Sequence, residues 1–218
     1  MVAMPNPAAA LFLCLSTLAV VSDGIGHSPT EALHRCDVRT MTGGLGAQDI
    51  PIVKKLVAGT PVLIAAPRQV SASTPLIVMY HGFGPPNSPE DLARALPPIP
   101  GALTVYPSLP LLGARLPDGG TDELLRRQQD DYIGLLLYPV ILGAARELPT
   151  LIESLTRSYG LSKSRTIAVF GFSAGGAASL LALTESNIGP SAVVVLNSPM
   201  STADAVAGYE RQSGRAYG

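Results

Sequence analysis

The chain has 218 residues, 47% of them hydrophobic and 14% charged, which supplies one domain with a sizeable core and argues against a disordered chain. With 15 basic and 16 acidic residues the net charge is −1, and no long run of one sign occurs, which argues against nucleic acid or an anionic membrane surface as a partner. Cys14 and Cys36 both lie in the N-terminal segment, so neither a disulfide framework nor a metal site is indicated, and no cofactor is implied.

Ala8 to Val21 is an apolar run too short to span a bilayer comfortably but of the length of a signal-peptide core, and cleavage after Ser22 is compatible with it. No Lys or Arg precedes the run, so the basic leading segment of a secretory signal is missing. Export and a cytoplasmic location therefore both stand open. The expected division is a signal-like leader over 1–22, a linker over 23–51 and the folded domain over 52–218.

From Ile52 the pattern changes. Ile52 to Val57 and Pro61 to Ala66 are spaced as two short strands around an Ala-Gly-Thr turn. Leu76 to Tyr80 is continuously apolar, the pattern of a strand covered on both faces in a parallel sheet. It runs into His81, Gly82, Phe83 and Gly84. Ser88 to Leu96 predicts a short helix, with a capping Ser, Pro at the first helical position and two acids in the first turn. Ala102 to Tyr106 is the next strand, and the Pro- and Gly-rich loop that follows carries Arg115 and Asp118, which face a ligand if the loop lies at a strand's carboxyl end. Thr121 to Tyr159 reads as helices kinked at Pro139 and Pro149, with Tyr132, Leu135, Leu136 and Leu137 as core or acyl-pocket wall.

Arg165 to Gly176 then has the order strand, tight turn, helix start. Thr166 to Phe170 is apolar and partly β-branched, and Gly171 and Gly175 flank Ser173 in the pattern GxSxG. In a chain with 22 glycines the spacing alone is weak; the strand before it and the apolar helix from Ala177 to Leu183 make it specific. A serine on so sharp a turn needs small neighbours, and Gly171, Ala174, Gly175 and Gly176 supply them. Ser191 to Leu196 is a last buried strand.

HGFG after one strand, PSLP after the next, GFSAGG after a third and LNSPM after a fourth together resemble the α/β-hydrolases, in particular the serine esterases of the dienelactone-hydrolase and prolyl-oligopeptidase-like group, over roughly Ile52 to Met200. The resemblance implies a mostly parallel sheet with flanking helices and a small-molecule ester or related acyl substrate. It also implies Ser173 as nucleophile, the N–H groups of Phe83 and Ala174 as oxyanion donors, and His81 and Gly82 as the oxyanion loop. The family order places the acid and the base after the nucleophile, yet His27, His34 and His81 all precede Ser173 and only 45 residues follow it. Two further strands with their helices need roughly 50 residues. The expectation is thus a fold lacking its last strands, a C-terminally incomplete chain that is weakly active, and an open sheet edge at Ser191 to Leu196 through which copies associate. Asp204 is the one candidate acid, with a surface helix cap as its alternative role. The rival reading is a non-catalytic binding module on the same fold.

Overall fold

The computed structural model describes residues 19–21 and 50–217. The leader and linker expected over 1–51 therefore lie largely outside the described residues. The sheet comprises β1 (Ala19–Val21), β2 (Ile52–Val57), β3 (Thr60–Ala65), β4 (Leu76–Tyr80), β5 (Leu103–Pro107), β6 (Ile167–Phe172) and β7 (Ala192–Leu196). Their order across it is β1-β7-β6-β4-β5-β3-β2. β5, β4, β6 and β7 are mutually parallel, and the other three strands join antiparallel.

Each parallel strand is a short apolar run because both of its faces are covered. On one face Leu76, Val78 and Tyr80 of β4 join Val105, Val169, Val193 and the stripe Leu148, Leu151 and Leu155 in the larger core cluster. That stripe belongs to α3 (Tyr138–Ser158), which packs on α4 (Ala174–Glu185). On the other face Met79, Leu63 and Tyr106 pack against Leu92 and Ala93 of α1 (Pro89–Ala95). The predicted cap of α1 is present, with Ser88 Oγ accepting from Asp91 N at 3.1 Å.

The hairpin of β2 and β3 turns through Ala58 and Gly59, both with positive φ (49° and 82°), the two-residue turn whose twist matches the strands. β2 is exposed along most of its length, and Leu56 keeps 72% of its surface in solvent.

Around Pro139 the kink resolves differently from the expectation. α2 (Gly120–Asp131) passes into a π-helical segment, Tyr132–Leu137, and α3 begins immediately afterwards with Pro139 in its first turn. The last π-type bond runs from Tyr138 N–H to Ile133 O, so the missing N–H of Pro139 falls at the change of pitch between the two helical forms. The helical run Gly120–Ser158 is long and apolar enough to cross a membrane by length and composition. Its buried stripe is spent on the sheet, as in the core helix of a folded domain.

One expectation about the end of the chain needs correction. The sheet edge at β7 is not open: β1 pairs with it antiparallel, from Ala19 opposite Val195 to Val21 opposite Val193. Thr202–Ser213 forms α5, started by Ser201 and ended at Gly214, whose left-handed backbone (φ 68°) lets its N–H reach Glu210 O at 2.9 Å.

Candidate active site

The chain goes from β4 sideways to β5 and then returns past β4 to β6 and on to β7, so the connections leave β4 and β6 in opposite directions. The loops at the carboxyl ends of these two neighbours diverge and leave a crevice, the place where open α/β sheets bind ligands. One loop is His81 to Pro86; the other is the turn at Ser173.

Ser173 has φ 53° and ψ −119°, a conformation that a residue with a side chain rarely adopts. It is held there from both sides. Its N–H donates to Leu196 O of β7 at 2.9 Å, and its carbonyl accepts from the N–H groups of Gly176 and Ala177 at 3.0 and 3.1 Å. The turn closes only because α4 approaches β6 and β4 at backbone contact. A Cβ on Gly171 would lie 2.4 Å from Gly175 O, and one on Gly175 would lie 2.4 Å from His81 O.

The His81 to Pro86 loop meets the serine directly, since a Cβ on Gly82 would come within 2.8 Å of Ser173 Cβ. Gly82 N–H is already used, donating to Pro86 O at 3.1 Å. The N–H of Phe83 has no acceptor among the described residues, and that of Ala174 opens α4, where no intrahelical acceptor exists. Both donors are therefore unspent beside the crevice.

His81 is 1% exposed, and both of its ring nitrogens are occupied. Nε2 accepts from Leu109 N–H at 3.3 Å, which puts the ring proton on Nδ1, and Nδ1 donates to Gly82 O at 2.9 Å. The imidazole thus ties the loop after β4 to the loop after β5. Burial holds its proton affinity below the ordinary histidine range, with the Gly82 carbonyl offsetting part of the shift. The unfolded chain then binds the proton more readily, so stability should fall as pH drops through about 6.5 and level off below the folded value. Melting temperatures between pH 8 and 5 check this: His81→Asn, which keeps one donor toward Gly82, should show the shallower decline, and parallel curves would refute it.

The crevice opens into a cleft of about 530 Å³ whose lining includes Ser173, Tyr132, Ser198, Asp204, Tyr209 and Arg211. Tyr132 and Tyr209 of this lining belong to an aromatic ladder. Phe83 meets Tyr132 edge-on at 6.1 Å, Tyr132 stacks on Tyr209 at 5.7 Å, and Tyr209 meets Tyr217 edge-on at 5.7 Å. Sequence reasoning noticed Tyr132 but missed Tyr209, because it read no element beyond the cap at Asp204; the capping Ser201 and the terminating Gly214 were the available signals. Of the expected apolar wall, Leu137 lines the cleft, Leu136 is buried in the core and Leu135 faces solvent.

Asp204 lines the same cleft as the cap of α5. Its Oδ2 accepts from Ser201 Oγ at 2.9 Å and Met200 N at 3.2 Å, while its own N–H donates to Ser201 Oγ at 3.1 Å. A carboxylate so engaged fixes a helix start. Ser201→Ala should cost about 1 kcal/mol in stability. Asp204→Ala should destabilise as well, yet leave the reaction of Ser173 with a phosphonate unchanged; a slower reaction would assign the carboxylate a chemical role. Arg115 is also committed elsewhere, forming a two-pronged pair with Glu147 at 2.8 and 2.5 Å and donating to Ser108 O at 3.0 Å. No cluster of potential metal ligands occurs among the described residues.

The sheet order, the crossover at β4 and β6 and the strand–Ser173–helix turn together are those of the α/β-hydrolase fold, as the motifs predict. No protein-family model matches the chain, and no curated protein does. Among solved structures it is similar to the protein TT1662 of Thermus thermophilus, at 24% identity over 63% of this chain and 52% of that one, with a TM-score of 0.48. It is also similar to an esterase of the archaeon Pyrobaculum calidifontis, at 20% identity over 62% and 38% of the two chains and a TM-score of 0.38. A poly(3-hydroxybutyrate) depolymerase from Bordetella parapertussis matches at 15% identity, 63% and 47% coverage and a TM-score of 0.36. The match spans about half or less of each of these structures.

Proposed function

We propose that the chain carries a serine-hydrolase site for carboxylic esters. Ser173 Oγ attacks the ester carbonyl carbon, and the carbonyl oxygen takes the negative charge between the N–H groups of Phe83 and Ala174. Collapse breaks the carbon–oxygen bond, the departing oxygen takes up the proton released by Ser173 through solvent water and leaves as the alcohol, and water then splits the remaining acyl-enzyme to the acid and free Ser173. The observation that carries this reading is the positive φ of Ser173 on the turn between β6 and α4, against the Gly82 loop. Strain of that kind exposes a side chain that a relaxed turn would not.

His81 does not take the serine proton in this scheme, because Leu109 N–H and Gly82 O already occupy its two nitrogens. Its part is to hold the donor loop in place. The test is covalent: after reaction with a fluorophosphonate, peptide mass spectrometry should find the adduct on Ser173 and lose it in Ser173→Ala. An adduct on the neighbouring Ser198 or Ser179 would refute the assignment.

A further inference from the structure

A second cavity of about 320 Å³ lies beside the cleft and is chemically different from it. Ile133, Leu137 and Ile141 form one side, Ala177, Leu180 and Leu181 of α4 the other, and no charged side chain lines it. Cleft and groove have Leu137, Pro199, Met200 and Ala205 in common. The groove also starts one helical turn from the serine, since Ala177 N–H donates to Ser173 O at 3.1 Å. From Ala177 to Thr184 it follows α4 for about 10 Å of helix rise. Met200, 62% exposed, stands where the two spaces adjoin and is the kind of flexible apolar side chain that adapts to an aliphatic guest.

We infer that this groove is the acyl-chain subsite of the Ser173 site and that the substrates are esters of aliphatic, medium-chain acids. The assignment rests on the hydrolase reading of Ser173. The division of chemistry between the two spaces supports it. Asp204, Arg211 and Gln212 line the cleft and suit a polar alcohol or water, whereas the groove is lined mostly by apolar side chains, with hydroxyls only from Tyr138, Thr184, Ser201 and Thr202 and no charge. Burying each methylene of such a chain favours binding by about three- to fourfold.

The test uses the full chain and simple probes. Calorimetric titration with butanoate, hexanoate and octanoate should show the association constant rising about three- to fourfold per methylene, equally in wild type and in Ser173→Ala. Ala177→Phe fills the root of the groove and should abolish the gain. If that variant misfolds, Thr184→Phe, at a residue exposed on the far end of α4, should instead halt the gain at the longer acids. A flat chain-length series in wild type, or a series that both variants leave intact, would overturn the inference. Methyl and octyl p-nitrophenyl phosphonates separate the two layers, because octyl should react faster than methyl with Ser173 in wild type and lose its advantage in Ala177→Phe. Octanoate binding without any phosphonate adduct would keep the groove as a chain-binding site but overturn the Ser173 reading on which its acyl role rests.

Discussion

Ser173 should react with a fluorophosphonate slowly, about 10²- to 10⁴-fold below the rate that a base-assisted serine reaches. A hydroxyl is a weak nucleophile until a neighbouring group takes its proton during attack. Among the described residues the only imidazole is His81, whose nitrogens are spent on Leu109 and Gly82. What remains is the pair of N–H donors and the binding cleft, which in a serine hydrolase stripped of its base still gives about 10³- to 10⁴-fold over water. Added imidazole should therefore accelerate both labelling and p-nitrophenyl ester hydrolysis, in wild type and in His81→Asn alike, whereas Ser173→Ala should show no labelling and no hydrolysis beyond imidazole's own reaction with the ester. Fast, Ser173-dependent turnover without imidazole would show that the chain holds a base after all, and His27→Ala and His34→Ala would then be the variants to compare.

The second large effect concerns the glycines of the turn. Gly171→Ala should lower stability by about 3 kcal/mol or more, a fall in melting temperature on the order of 10 °C, because the added methyl meets Gly175 O at 2.4 Å and Gly176 Cα at 2.5 Å. Those are backbone atoms of α4, so relief requires lifting the helix off β6. That movement carries Ala174 N–H away from the serine, and phosphonate labelling should disappear with the stability. Gly175→Ala should behave similarly, pressing on His81 O and Tyr80 Cβ at 2.4 and 2.5 Å. Gly176→Ala should be milder but still destabilising, since Ser198 Oγ and Val195 Cγ1 at 2.9 Å can turn aside whereas Ser198 Cβ at 2.7 Å moves only with its backbone. Calorimetric melting ranks the three, and a ranking with Gly176→Ala as the most damaging would contradict this account of the turn.

The parts of the fold that were readable in advance are those whose cause is local. Leu76 to Tyr80 and Ile167 to Phe170 are apolar because neighbours cover both faces, and Ser88, Pro89 and Asp91 set the start of α1 within four residues. GxSxG was readable for the same reason, since close approach of α4 to β6 requires glycines at fixed offsets from the serine. The rest depends on residues far apart in the chain. That both nitrogens of His81 are occupied follows from Leu109, 28 residues away, and the aromatic ladder unites Phe83, Tyr132 and Tyr209 through the docking of α5. Pro139 signalled a disturbance in the helix, but nothing near it told a kink from a widened π turn within one helical run.

β2 has a further consequence for how copies of the molecule meet. Among the described residues it pairs only with β3, so its outer backbone groups are available to another strand. Lys54 and Lys55 sit side by side in it, Lys54 reaching Glu90 at 2.7 Å and Lys55 lying over the Tyr159 ring at 5.2 Å. Consecutive residues of a strand face opposite sides of the sheet, so a second copy zipped antiparallel in a register that opposes these residues would bring two ammonium groups together on each face. Dilute buffer should therefore keep the molecules apart, and concentrated salt, which shortens the reach of the repulsion to a few ångströms, removes much of that protection.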